Sequence, residues 1–134
     1  MDDDDLKLAR RAVACKGWRW MAGMRVSYVE RLGGRWHTRM IAADPSAALL
    51  NADPLPDLTD PATLGCLLAL VREAVEPQRA PGDWPMVCTY QSQGKKWGVG
   101  AWLNESGKAT FAALVLPTYE TEADALVAAL EAAP

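Results

Sequence analysis

The chain has 134 residues and a mass of 14.5 kDa, half of its residues are hydrophobic, and 23% are charged. These values predict a single folded domain at residues 1–134 and exclude an intrinsically disordered chain. Every uninterrupted apolar run in the sequence is too short for a membrane span, and the acidic residues 2–5 differ from the basic start of a secretory signal. We therefore expect a cytoplasmic protein with no membrane partner.

The net charge of −3 conceals an uneven distribution. Residues 6–39 carry nine basic residues and one acidic residue, whereas residues 40–134 carry five basic and twelve acidic residues. Such a basic segment either presents a positive face to an anionic partner or packs beside the acidic part and is neutralised. Charge alone leaves both alternatives open.

The cysteines and the single histidine do not form a metal-ligand pattern. Cys15, Cys66 and Cys88 are widely spaced, and His37 stands apart from them. We expect Cys66 and Cys88 to be buried, reduced thiols that pack as small apolar side chains. No metal and no other cofactor is predicted.

The first third of the chain predicts a helix and then a β-hairpin. An aspartate at or before Asp5 caps a helix that ends near Cys15. Two alternating segments, residues 24–32 and 35–42, predict strands, and Gly33-Gly34 between them is typical of a two-residue hairpin turn.

That turn fixes the predicted register of the hairpin. Glu30 lies opposite His37 as a charge pair, and Tyr28 lies opposite Arg39, whose guanidinium covers the ring. One face of the ribbon then carries Val26, Tyr28, Glu30, Leu32, Arg35, His37, Arg39 and Ile41.

The middle of the chain predicts a loop and a helix. Residues 44–60 are rich in proline and aspartate and predict a loop within the domain, with a short helical turn at residues 46–50. The Asp60-Pro61 pair begins an amphipathic helix that ends at Pro77. Gly65 within this helix is interpreted as a point of close approach to a sheet.

The last part predicts three strands and a helix. Residues 84–92, 97–103 and 109–116 alternate and form an antiparallel meander, and Thr121 caps the closing helix. The chain is therefore predicted to have an α+β fold, with an antiparallel sheet (the hairpin plus the meander) packed with about three helices in a sandwich-like arrangement. Whether the hairpin joins the meander stays open.

Three segments resemble a known group of proteins. Residues 8–21 read LARRAVACKGWRWM, residues 55–74 read LPDLTDPATLGCLLALVREA, and residues 122–130 read EADALVAAL. They resemble small uncharacterised proteins of bacteriophages and prophages, and the layout is similar to the phage ABA sandwich domain. The resemblance leaves residues 26–51 unmatched. It implies a phage or prophage origin and an accessory role in the cytoplasm of the bacterial host, and it carries over no functional residues.

Catalytic motifs are not found in the sequence. It contains no G-x-S-x-G, H-E-x-x-H or phosphate-binding glycine loop, and the glycines of residues 98–101 lie inside a predicted strand. We expect a protein that binds rather than an enzyme.

Aromatic and basic residues alternate in the first third of the chain. The candidate partner-binding residues are Trp18, Arg19, Trp20, Arg25, Tyr28, Arg35, Trp36, His37 and Arg39, with a smaller group at Lys95, Lys96 and Trp97. Tryptophan, tyrosine and arginine dominate protein interfaces, so the leading hypothesis is a protein that binds and occludes a host or phage protein, such as a host-defence component. The same chemistry suits a nucleotide or single-stranded nucleic acid, which is the alternative. A third interpretation is that the tryptophans cover the ends of the sheet and the arginines are merely solvated.

Overall fold

A computed structural model describes residues 2–30, 33–41, 53–75, 86–105, 107–114 and 118–133. Within this part, three helices and six strands in two antiparallel sheets confirm the predicted α+β class. The chain divides into two compact units, Met1–Cys66 and Leu67–Pro134. The single domain stays a prediction, and the predicted helical turn at residues 46–50 lies outside the described residues.

The first unit contains a helix and a three-stranded sheet. Helix α1 spans Asp3–Ala14, and strands β1 (Arg25–Val29), β2 (Trp36–Met40) and β3 (Leu55–Pro56) form a sheet in the order β2-β1-β3. The predicted loop is thus wrong at Leu55–Pro56, which is buried and pairs with β1. A proline is tolerated there because an edge strand needs fewer backbone donors.

Helix α1 begins with a reciprocal capping box. The Asp2 carboxylate accepts hydrogen bonds from the N–H groups of Asp4 and Asp5, and the Asp5 carboxylate accepts one from the Asp2 N–H. These bonds satisfy helix donors that have no partner within the helix. The predicted aspartate cap is confirmed, and the helix presents Leu8, Ala9 and Ala12 to the core.

The hairpin register differs from the prediction by two residues. Tyr28 pairs with His37 and Val26 with Arg39, and the Glu30 N–H donates to the Arg35 carbonyl. Four residues rather than two therefore separate the last bonded pair, and Gly34 adopts a left-handed φ of 62° close to the end of this connection. Because the shift is an even number, the face assignment of these side chains is unchanged.

Helix α2 spans Pro61–Val75, beginning in the first unit and continuing in the second. The Asp60 side chain caps it by accepting hydrogen bonds from both the N–H and the hydroxyl of Thr63 at 2.9 Å. The predicted start at Asp60-Pro61 is confirmed. The predicted end at Pro77 lies outside the described residues.

The interpretation of Gly65 is wrong. A Cβ added to this helical glycine meets no atom within 4 Å, so Gly65 marks no close approach.

We predict that Gly65→Ala stabilises the protein by about 0.5–1 kcal/mol, because alanine has the higher helix propensity and the added methyl group enters open space. The measurement is urea-induced unfolding of parent and variant. A lower free energy of unfolding in the variant would contradict the open environment of this position.

The second unit contains the meander and the last helix. Strands β4 (Met86–Gln91), β5 (Trp97–Glu105) and β6 (Lys108–Ala113) form a separate sheet in the order β4-β5-β6, as the meander prediction requires. Among the described residues, the hairpin pairs with β3 in the first sheet and shares no strand pairing with the meander.

Helix α3, Glu122–Ala132, contacts one face of the second sheet. Val87, Val99 and Ala101 are buried on that face. The Thr121 hydroxyl accepts a hydrogen bond from the Asp124 N–H at 3.1 Å, which confirms the predicted cap. The Thr89 hydroxyl also donates to the Glu122 carboxylate and ties β4 to the start of α3.

Candidate interaction surface

The first two tryptophans among the predicted binding residues form a pair before β1. Trp18 and Trp20 are half-buried and meet edge to face, with ring centroids 5.3 Å apart. The indole N–H of Trp18 is buried and has no hydrogen-bond partner within the described chain. The two indoles therefore pack partly against each other. Arg19 between them is exposed and takes part in an interaction within the chain.

Strand β2 carries basic and apolar side chains on opposite faces. Alternation places Arg35, His37 and Arg39 on one face and Trp36, Thr38 and Met40 on the other. Trp36 and Met40 are 46% and 54% exposed. We call residues 35–40, with the two rows of side chains that they carry, the β2 edge.

The basic row is only partly neutralised. The His37 ring stacks on Tyr28, with centroids 5.5 Å apart, and its Nε2 lies 3.2 Å from Glu30 Oε2. The predicted Glu30–His37 pair therefore forms, although diagonally across the strands. The prediction that Arg39 covers Tyr28 is wrong, because the register places His37 there. Within the described ranges, Arg35 and Arg39 have no carboxylate partner.

Arg25 lies beside a buried carboxylate of the first unit. Its Nε lies 3.7 Å from the buried Asp60 carboxylate, and its backbone N–H donates to the Thr63 hydroxyl at 2.8 Å. Hydrogen bonding from the Thr63 N–H lowers the pKa of Asp60 despite its burial, and the Arg25 charge lowers it further. This predicted binding residue therefore has a structural partner.

The smaller basic group lies at the β4–β5 turn of the second unit. Lys95 is exposed and occupies the turn with a positive φ of 59°. Lys96 pairs with Glu120 at 2.9 Å, and Trp97 is half-buried and bridged to Tyr119 by two backbone hydrogen bonds. Of the three, Lys95 retains an uncompensated charge among the described residues.

The backbone of the β2 edge also points outward. Glu30 bonds to Arg35 and Ile41 bonds to Met24, and in an antiparallel pair such bonded positions alternate with non-bonded ones. The N–H and C=O groups of Trp36, Thr38 and Met40 therefore face away from β1. No described residue bonds to them.

A small cavity adjoins the Trp36 face of the first sheet. It has a volume of about 190 Å³ and is lined by Asp5, Ser27, Trp36, Thr38, Asp57 and Thr59. Of these residues, only Trp36 was among the predicted partner-binding residues. The period-two alternation from Trp36 points to Thr38 and Met40, whereas nothing local in the sequence connects Asp5 with Asp57.

The second sheet has an aromatic face that was also not predicted. Phe111 contacts Tyr90 and Trp102 edge to face, at 5.1 and 5.3 Å between centroids. Trp102 is 41% exposed. The glycines of β5 are the sequence signal for this face, because the Tyr90 ring lies over Gly98 and the Phe111 ring over Gly100.

The cysteines are free thiols, and all three are half-buried. The predicted full burial of Cys66 and Cys88 is thus wrong. Cys66 follows the open position Gly65 on α2, and its thiol donates to the Ala22 carbonyl at 3.7 Å. Burial raises the pKa of the Cys66 thiol, and the Asp60 carboxylate raises it further.

Comparison with known proteins gives no relatives. No family model, no curated protein and no solved structure matches the chain. In the described ranges, no helix has the length and apolar character that a bilayer crossing requires.

Proposed function

We propose that this protein is a non-enzymatic binding protein that accepts an extended acidic segment of a partner protein along the β2 edge. The single observation that carries the proposal is the outward-facing backbone of Trp36, Thr38 and Met40 on an edge strand with exposed side chains. A strand of another chain can pair with such groups and extend the sheet.

The positive charge on the β2 edge favours an acidic strand as the binding partner. Arg35 and Arg39 are exposed on one face of the strand with no carboxylate partner among the described residues. An added strand places its own side chains alternately on the two faces, so acidic residues at every second position would meet this row. The other side chains of that strand would lie beside Trp36 and Met40.

The same alternation favours a protein over a nucleic acid. Binding of a single strand of nucleic acid needs cations and stacking rings along one groove. On the β2 edge, the exposed indole of Trp36 lies on the face opposite Arg35 and Arg39. Glu30 adds a negative charge to the basic face.

The biological role that we propose is supported by the sequence resemblance alone. The likeness of residues 8–21, 55–74 and 122–130 to phage and prophage proteins supports an accessory protein of such an origin. Its task in the host cytoplasm would be to occlude a host or phage protein, such as a defence component, by covering an exposed strand of that protein.

The test uses a proline that removes one outward N–H. Thr38→Pro deletes a donor that β1 does not use, whereas Thr38→Ala keeps this donor and removes only the side chain. We expect a labelled heptapeptide with glutamate at every second position and valine between to bind the parent and Thr38→Ala equally. Its affinity for Thr38→Pro should be about tenfold lower, the effect of one lost hydrogen bond.

Two controls make this experiment decisive. The same heptapeptide with glutamine in place of glutamate should bind more weakly because it lacks the negative charges that meet Arg35 and Arg39, and oligothymidylate should not be retained at physiological salt. Equal binding of the acidic peptide by parent and Thr38→Pro would contradict docking at the edge. Retention of oligothymidylate with a steep loss of affinity as salt rises would replace the proposal with the nucleic-acid alternative.

A further inference from the structure

The cavity beside Trp36 is lined by hydrogen-bond acceptors. Asp5 comes from the first turn of α1, Ser27 from β1, Thr38 from β2, and Asp57 and Thr59 from the turn after β3. These residues supply two carboxylates and three hydroxyl groups around a volume of about 190 Å³. Such a lining suits a ligand that donates hydrogen bonds and carries positive charge.

The two carboxylates keep free acceptor capacity. Asp57 uses Oδ1 to accept hydrogen bonds from the N–H and the hydroxyl of Thr59, at 3.1 and 2.6 Å. Asp5 uses Oδ2 to accept one from Asp2 at 3.3 Å. The second oxygen of each carboxylate has no partner within the described residues, and neither carboxylate is paired with a base there.

Ser27 gives an independent indication of a ligand. The residue as a whole is 6% exposed, it lines the cavity, and its hydroxyl makes no hydrogen bond to any residue that the structure describes. Because this hydroxyl opens onto the cavity, its hydrogen-bonding capacity stays available to a group bound there. A donor bound in the cavity would supply this bond.

The position of Trp36 and the volume of the cavity indicate which chemical group could bind there. An exposed indole at the wall can cover a planar or tetrahedral cation. The volume is below the roughly 300–1,000 Å³ of sites that enclose a whole small molecule, so the cavity matches one functional group and its short stem. The partial positive charge at the start of α1 is opposed by the four consecutive carboxylates of Asp2–Asp5.

We propose that this cavity is a binding site for a guanidinium or primary ammonium group, held by Asp5, Asp57 and Ser27 and covered by Trp36. The group belongs either to a free small cation or to an arginine or lysine side chain of a bound strand. The site goes beyond the acidic-strand function proposed above. It can be measured without any peptide on the β2 edge.

The primary experiment is a titration of the full chain with n-butylguanidinium, followed by two-dimensional NMR. We expect saturable shifts of the Trp36 indole N–H and the backbone amides of Ser27 and Thr38. The neutral isostere n-butylurea, added at the same concentrations and ionic strength, should leave these signals unchanged. Equal shifts from butylurea, or shifts that do not saturate, would overturn the proposal.

Conservative variants assign the shifts to the cavity. Asp57→Asn and Asp5→Asn keep the shape and an acceptor oxygen but remove the charge, and each should weaken butylguanidinium binding about tenfold. Asp53→Asn is the matched control, because Asp53 is exposed in the same unit, does not line the cavity, and has a left-handed φ of 47° that asparagine tolerates. Weakening by Asp53→Asn equal to that by Asp57→Asn would overturn the assignment.

A second titration distinguishes the two sources of the cation. The glutamate–valine heptapeptide carries arginine at one valine position, and its control carries neutral citrulline there. Arginine-dependent shifts of Trp36 that exceed those of butylguanidinium indicate a side chain of a bound strand; shifts from butylguanidinium alone indicate a free cation. Either result supports the site, whereas no charge-dependent shift with either probe overturns it. Failure of the edge proposal appears separately, as equal peptide binding to parent and Thr38→Pro.

Discussion

Replacing Asp60 by alanine should lower the free energy of unfolding by about 2–3 kcal/mol. Asp60 is 9% exposed and accepts two hydrogen bonds from Thr63, and the Thr63 hydroxyl in turn accepts one from the Arg25 N–H. The substitution therefore removes the cap of α2 and leaves the donors of Thr63 without their acceptor. The measurement is urea-induced unfolding of parent and variant at pH 7.

Asp60→Asn is the matched control for this loss. Asparagine is as good a cap as aspartate and retains an acceptor oxygen, so the variant should lose less than half of what Asp60→Ala loses. If the two variants were equally unstable, the charge of Asp60 and not its capping oxygen would carry the effect. If Asp60→Ala were as stable as the parent, the Asp60–Thr63–Arg25 network would not contribute to stability.

The charge of Asp60 makes part of the stability depend on pH. Its folded pKa lies below the ordinary value of 3.8, chiefly because the Thr63 N–H bonds to the ionised form. The unfolded chain therefore binds the proton more readily than the folded chain. The contribution of Asp60 is fully present above about pH 5 and is lost as the pH falls through 3.8 towards the lower folded value.

This dependence can be isolated by comparing the parent with Asp60→Asn. The difference in their free energies of unfolding should be largest near pH 7 and should shrink between about pH 5 and pH 3. A difference that stays constant over that range would show that the pKa of Asp60 is not lowered by folding.

The second large effect is expected at Gly100. A Cβ at this position would overlap the ring of Phe111, which lies across β5 and contacts both Tyr90 and Trp102. Gly100→Ala must displace that ring, and we expect a loss of about 1–3 kcal/mol in the free energy of unfolding, the usual cost of overpacking. Urea-induced unfolding measures this loss.

A double-mutant cycle tests the cause. In a Phe111→Ala background the space above Gly100 is free, so adding Gly100→Ala should be neutral or stabilise the strand by about 0.5–1 kcal/mol. The stabilising Gly65→Ala provides the reference for a glycine in open surroundings. Equal losses from Gly100→Ala with and without the Phe111 ring would show that backbone conformation, rather than the ring, requires glycine here.

Local sequence signals determined where the helices begin and which residues form the strands of the meander. Asp60-Pro61 and Thr121 begin their helices as predicted because capping depends on side chains within three residues of the helix start. The alternating residues of the meander form three strands because a period of two is a property of the strand itself. The same alternation correctly assigned Tyr28, His37 and Arg39 to one face.

Pairing between segments decided features that the local sequence did not predict. The hairpin register follows the length of its connection, so the Gly33-Gly34 pair by itself did not determine which residues lie opposite one another. The pairing of Leu55–Pro56 with β1 overrode a local sequence that is typical of a loop. Arg25 became a partner of Asp60 only because β1 lies beside the start of α2.

By itself, the amino-acid sequence determined the α+β class, the helix caps and the chemical character of the first third of the chain, since all of these depend on neighbouring residues. Only the tertiary structure decided which groups meet. It brought Asp5, Ser27 and Asp57 around one cavity. The physical reason is that a binding site depends on the distance between side chains in space, which residues from a helix, a strand and a turn acquire only when the chain has folded.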